Sequence, residues 1–393
     1  MRPDRRLFLS AACVSAAELA FGGPARALGQ GRRRAPEYRG PNVILVRFGG
    51  GARRRETIDP AHTYAPFLCH ELAPRGTLLR TMEISSGPNV KTGHGTGTLY
   101  LLTGRYDRYE DLEGRLLGER YEPKAPTLFE YLRKAYDVPE HQTLIVNGED
   151  RIDEEFYTFS NHHVFGVDYR SQVLSLYRYK TWLLERRIAE GAFQDEELAR
   201  QTRELAKMRS LDLRVDANER TAPAIDRFWT RWRAHYGDSG FVNPRGDRLL
   251  TELAVRALKD IRPRLMMINY QDCDYVHWGY PSHYTRGVSI MDEGLARIVA
   301  TVEADEAYRE NTVFCVVPDC GRDNNRLMSV PYQHHFGSRT SREIFALFFG
   351  AGIASHGIVD RTVDQIQVAA TLGRTMGLTT DIAEGHVLEE VFA

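Results

Sequence analysis

Three short apolar runs, each tied to a cluster of polar residues, constrain this chain more than anything else in it. Leu265 to Tyr270 is followed by Gln271, Asp272, Cys273, Asp274, Tyr275, Val276, His277, Trp278 and Gly279. Val313 to Val317 is followed by Pro318, Asp319, Cys320, Gly321, Arg322 and Asp323. His334 and His335 precede the third run, Ile344 to Phe349, which Gly350 and Gly352 close. Apolar runs this short, ended by turn residues, read as buried parallel strands. On such sheets ligands gather just beyond the carboxyl ends of the strands. Asp, His and Cys converging there are the residue types of metal-assisted hydrolysis.

The same texture recurs elsewhere. Val43 to Val46 reads as a first buried strand, running into Arg47, Phe48 and the turn Gly49, Gly50, Gly51. Thr77 to Leu79 and Thr143 to Val146 read as further strands. Helical spacing marks Pro126 to Lys134, Asp247 to Ile261 with Asp247 as N-cap, Tyr284 to Val302, and Thr362 to Met376. Strands alternating with helices predict an α/β fold: a doubly wound, mainly parallel sheet flanked by helices. Between about 168 and 243 the chain turns rich in Arg, Glu, Leu and Ala, which predicts a helical insertion. Trp229, Trp232 and Tyr236 within it read as core aromatics, and His162 and His163 as surface or packed residues.

A chain of 393 residues can bury a large core. Its formal net charge of -1 gives no case for nucleic-acid binding. No apolar run after the N-terminus is long enough to span a membrane. The first residues differ from the rest. Arg5 and Arg6, an apolar stretch from Leu7 to Phe21, and Ala25-Arg26-Ala27 follow in the order of a twin-arginine signal peptide with a small-x-small cleavage site. The expectation is residues 1–27 as signal, engagement of the twin-arginine export machinery, and an exported, periplasmic mature chain whose main domain covers residues 40–393. Cys69, Cys273, Cys315 and Cys320 would remain in it, too few for a disulfide scaffold.

Ser85 to Thr98 is a glycine- and hydroxyl-rich loop that leads into a helix from Leu99 and stops near Gly104. It has no Walker A spacing, but a segment of this kind suits an anion. Lys91 and Arg105 could assist there. Arg47, Arg53, Arg54 and Arg55 flank the Gly49 turn and could grip an anionic group.

In this order the motifs resemble the alkaline phosphatase superfamily, and its sulfatase-like branch in particular. Pro41 to Val46 resembles the opening strand, and Leu101 to Tyr106 the segment after the nucleophile. Asp274, His277 and Gly279 resemble the Asp and His that hold one metal. Asn311 to Gly321 resembles the strand leading into Asp-His-Gly, and His335, or His334, the late histidine. Val363 to Leu378 resembles the final helix and its turn. The resemblance implies a metal-dependent hydrolase or transferase acting on a small anionic ester, phosphate or sulfate, through divalent metals, usually zinc.

The chain departs from that pattern at three places. Gly49 stands where the first strand should end in an Asp ligand, and Cys320 stands for a histidine. The nucleophile position falls on His94 without a gap, and on Thr92, the preferred choice, or Thr96 with a small insertion. The resemblance thus implies one intact metal site, Asp274, His277 and His335, with Asp272 and His334 as alternative ligands. Asp319 and Cys320 are left to a depleted second site, where cysteine is a soft but competent zinc ligand. The competing expectation is a catalytically degenerate member that binds an anion or a partner.

Overall fold

The structure, a computed structural model of the chain, describes residues 35–112, 121–147, 157–160, 163–210, 221–240, 246–325 and 327–393. The expected signal peptide and His162 lie outside them. In chain order the elements are β1 (Asn42–Phe48), α1 (Arg54–Thr57), β2 (Thr77–Glu83), α2 (His94–Thr103), β3 (Tyr109–Asp111), β4 (Tyr121–Pro123), α3 (Leu128–Ala135) and β5 (Thr143–Val146). β6 (Gln172–Leu174), α4 (Leu176–Ala189), α5 (Asp195–Ser210), α6 (Pro223–Tyr236), α7 (Asp247–Asp260), β7 (Leu265–Asn269) and α8 (Pro281–Glu303) follow. β8 (Thr312–Pro318), α9 (Arg339–Arg342), β9 (Glu343–Gly350), β10 (Gly357–Asp364) and α10 (Gln367–Thr375) complete the chain.

Eight strands form one sheet in the order β10-β2-β9-β8-β1-β7-β5-β6. β1 lies at its centre, parallel to both β7 and β8, with Val43 opposite Leu265 and Val313. Side chains of β1 alternate between two cores, as a strand covered on both faces requires. Ile44, Val46 and Phe48 pack with Met266, Ile268, Phe314 and the helical residues Trp229, Leu253 and Leu295. Val43 and Leu45 pack on the other face with Leu265, Met267, Val313, Leu101 and Phe129. Full burial of such side chains contributes about 1.5–3 kcal/mol each. Trp229 and Trp232 belong to the first core, and Tyr236 packs against it half-buried. Among the described residues no helix is long and apolar enough to cross a membrane.

Four local expectations are corrected. β9 is antiparallel to both of its neighbours, β8 and β2. Among the described residues only a loop and the single turn of α9 join β8 to β9, without the crossover helix that usually joins parallel neighbours. The final helix starts at Gln367, because residues up to Asp364 extend the edge strand β10. α2 begins at His94 rather than Leu99, so its glycine-rich first turn is already helical. Gly246 precedes α7, and Asp247 instead accepts the backbone N–H groups of Gln271 at 2.9 Å and Asp272 at 2.8 Å.

A buried carboxylate on α8 serves a similar purpose. Asp292 accepts the N–H groups of Phe67 at 2.9 Å and Leu68 at 2.8 Å, at the start of the short helical segment Phe67–Leu72. Burial, partly offset by those two donors, pushes its pKa up to about 6. In the unfolded chain it titrates near 4. The fold therefore binds this proton more tightly, and the associated stability is full below pH ~4 and lost as pH rises through about 6. Asp292→Asn should lose about 1–3 kcal/mol through an unmatched N–H. It should also lack that fall with pH. Urea melts at pH 4 and pH 7 check this; parallel curves for the two proteins would contradict it.

Candidate metal centre

The turns after β1, β7 and β8 meet the N-terminus of α2 and the loop before α9 at one edge of the sheet. β7 delivers the Asp274 and His277 turn, which Asp247 at the head of α7 fixes through the two backbone N–H groups. β8 delivers Asp319 and Cys320. α2 delivers His94, and it can approach closely because Gly97 sits against the chain at Asp319. A Cβ at Gly97 would lie 2.1 Å from the Asp319 carbonyl oxygen.

Four nitrogens converge on one oxygen, Asp274 Oδ1. His94 Nε2 is 2.8 Å from it, His277 Nε2 2.9 Å, Arg322 Nη2 3.2 Å and His334 Nε2 3.5 Å. The ligand atoms of His94, Asp274, His277 and His334 all lie within 4.8 Å of one another, so this cluster could hold a metal ion. His334 supplies the most specific test of fit. Its Nδ1–H donates to the Thr92 carbonyl at 3.0 Å. Its buried Nε2 has no hydrogen-bond partner. Burial, reinforced by the charge of His94, holds this imidazole well below its ordinary pKa. A neutral Nε2 thus points a lone pair towards a carboxylate oxygen, an arrangement that a cation between them satisfies. A histidine whose other nitrogen is fixed by a carbonyl is the usual form of a metal ligand.

The electrostatics agree with that geometry. Burial works against ionisation of Asp274, but the charge of His94 and the hydrogen bonds from His277 and His94 outweigh it and hold the carboxyl far below the usual range. Asp319, which is fully buried, is held low by His94 and Arg47 against the same penalty. Burial opposes charge on His94, yet Asp274 and Asp319 raise its pKa well above the ordinary value. Burial, with Asp319 beside it, pushes the Cys320 thiol up to about 11. Cys69, Cys273, Cys315 and Cys320 are buried free thiols.

The other candidates take varied places. His335 is exposed and stacks on His277 with ring centroids 5.9 Å apart; the cluster takes its buried neighbour His334 instead. Asp272 turns away, and its Oδ2 accepts the Asp247 N–H at 3.2 Å. The Thr92 hydroxyl donates to the His334 carbonyl, and the Thr96 hydroxyl donates to the Gly93 carbonyl at 3.2 Å. Both threonines are buried. Lys91 Nζ lies 3.7 Å from Asp111 and 5.3 Å from the Tyr121 ring centre. Arg54 is engaged by Glu343 and Thr81, and Arg105 by Asp107 and Glu384.

Arg322 escaped the sequence reading. It is fully buried, donating to the carbonyls of Gly50 and Gly51, to that of Tyr332 at 2.7 Å, and to Asp274. Its only sequence signal is its position just past the end of a buried strand. Tyr275, Trp278, Tyr280 and Phe336, close in sequence to His277 and His335, are exposed aromatics.

No protein-family model and no curated protein matches this sequence. Solved structures do match its fold. Alkaline phosphatase PafA aligns over 90% of this chain and 99% of its own, with a TM-score of 0.55 at 12% identity. A protein in the alkaline phosphatase superfamily from Vibrio parahaemolyticus aligns over 91% of this chain and 72% of its own, with a TM-score of 0.53 at 15% identity. The lipoteichoic acid synthase LtaP from Listeria monocytogenes aligns over 88% and 74%, with a TM-score of 0.52 at 11% identity. The chain therefore has the fold of the alkaline phosphatase superfamily.

Proposed function

We propose that this chain is a metal-dependent hydrolase of phosphate or sulfate esters, with zinc as its ion. The observation that carries the reading is the convergence of three imidazole Nε2 atoms on Asp274 Oδ1, one of them, on His334, lacking any hydrogen-bond partner. Asp274, His277 and His334 would hold the ion. When bound, it would polarise an oxygen of the ester and neutralise charge in the transition state.

The chain's own groups do the rest. Arg322 pins Asp274 and ties it to the β1 turn. The N-terminus of α2, which starts at His94, turns its positive end to the same space and favours an anionic substrate there. The hydroxyls of Thr92 and Thr96 are buried and donate to backbone carbonyls, so neither is presented to a substrate. Water then supplies the attacking oxygen. The ester P–O or S–O bond breaks and the departing alcohol takes up a proton, which makes the reaction hydrolysis rather than transfer. The solved structures of like fold include an alkaline phosphatase, which supports the class of ester.

The test is a panel of aryl phosphate mono- and diesters and aryl sulfates, assayed with and without a chelator. Turnover of one class that a chelator removes and Zn2+ restores is the expected result. No turnover of any ester by zinc-saturated protein would instead favour an anion-binding member of the fold. The reading includes export: full-length chain produced in a bacterial host should be recovered outside the cytoplasm, with a mass that shows cleavage after Ala27.

A further inference from the structure

We infer that the centre is mononuclear: His94 joins Asp274, His277 and His334 as its fourth protein ligand, so that an ester oxygen would have to enter as a fifth donor, Asp319 is the outer carboxylate that orients His94, and the Arg47 guanidinium occupies the neighbouring position where a second ion would sit. This rests on the metal-dependent reading above.

Three of the acceptor sites of Asp319 are taken by hydrogen bonds, and a guanidinium stands over the carboxylate. A carboxylate offers about four lone-pair sites. Oδ1 accepts the N–H groups of Cys320 at 2.7 Å and Gly51 at 3.3 Å. Oδ2 accepts His94 Nδ1–H at 2.8 Å and faces Arg47 Nη1 at 3.8 Å. The pair Asp319–His94 has the form of an outer-shell carboxylate on a ligating histidine, with Nδ1 committed and Nε2 turned to the Asp274 cluster.

The adjacent space is filled, and its ligand types are already engaged or incomplete. Gly49 has no side chain to offer. A Cβ built there would lie 2.1 Å from the Tyr270 carbonyl oxygen and 2.9 Å from the Arg47 guanidinium, so a carboxylate at this position has no room. Arg47 is almost wholly buried, and its Nη1 also meets the His94 carbonyl at 3.5 Å and the Thr98 hydroxyl. A fixed cation already stands beside Asp319 and offsets its charge. His94, Asp319 and Cys320 do form a second group of ligand types. Its shared atom is His94 Nδ1, which Asp319 already holds, while Cys320 Sγ stands 3.8 Å away from that nitrogen.

The experiment is metal stoichiometry of the full chain by elemental mass spectrometry, followed by exchange to Co2+ and visible spectroscopy. One ion per chain, with cobalt d–d bands and no sulfur-to-cobalt charge-transfer band, is the expected result. Two ions would overturn the mononuclear centre and leave metal-dependent hydrolysis standing. No ion, even after reconstitution, would overturn both. A charge-transfer band that Cys320→Ser removes would make Cys320 a ligand and overturn the assignment of Arg47. Asp319→Asn should keep one ion, weaken it about 10- to 100-fold and shift the d–d bands by freeing His94. Unchanged affinity and bands in a folded Asp319→Asn protein would deny Asp319 its orienting role, and Cys320→Ser should alter neither.

Discussion

Asp274→Ala should lose its metal and its ester turnover together, by more than the ~10- to 100-fold that removal of an outer-shell partner costs. The reason lies in charge as much as in ligand count. Asp274 Oδ1 is the one carboxylate oxygen that His94 Nε2, His277, His334 and Arg322 face together, at 2.8–3.5 Å. Without it, three imidazoles surround a fixed guanidinium, and an incoming dication meets net repulsion. The neighbouring Asp272→Asn is the control, because that carboxylate is turned to the head of α7. It should keep its metal and its turnover. Elemental analysis and initial rates on both variants, with circular dichroism to confirm folding, make the comparison. Full metal content in Asp274→Ala would sink the assignment of the site.

The sequence reached the sheet more easily than the centre, and the reasons are physical. Buried strands announce themselves, because both faces of β1, β7 and β8 must be apolar and their polar ends stand out. β10 gave no such signal: it is an edge strand, largely exposed, with Asp360 and Arg361 in its middle. The direction of β9 depends on whether a helix intervenes, which an apolar run cannot encode. Within the site, Asp274 and His277 could be found because spacing near a strand end is readable. The choice between His334 and His335 could not, since adjacent residues in an irregular loop differ only by which one the fold buries. His94 was legible as the ungapped nucleophile position, and the structure places it in the group that could hold a metal ion. Buried arginines run against composition statistics, so Arg47 and Arg322 gave no sign of their depth.

Arg322 is where the second large effect should appear, this time in stability. Its guanidinium is fully buried and meets three backbone carbonyls and Asp274. Arg322→Met keeps much of the volume but leaves those acceptors unmatched in the metal-free protein. Breaking a buried charge pair from one side costs about 3–5 kcal/mol. Arg322→Lys should fall between, since an ammonium cannot reproduce the fork that reaches Gly50 and Tyr332 together. The metal changes the size of the effect. A bound ion takes over neutralisation of Asp274, so saturating Zn2+ should recover part of the loss in Arg322→Met, while the unmatched carbonyls keep the rest. Urea denaturation of the wild-type and both variants, with chelator and with Zn2+, separates the two parts. A metal-free Arg322→Met within about 0.5 kcal/mol of the wild-type, the usual range for a surface substitution, would show that Asp274 is not held by Arg322. A loss of full size that Zn2+ does not touch would show that the ion and the guanidinium do not share this carboxylate.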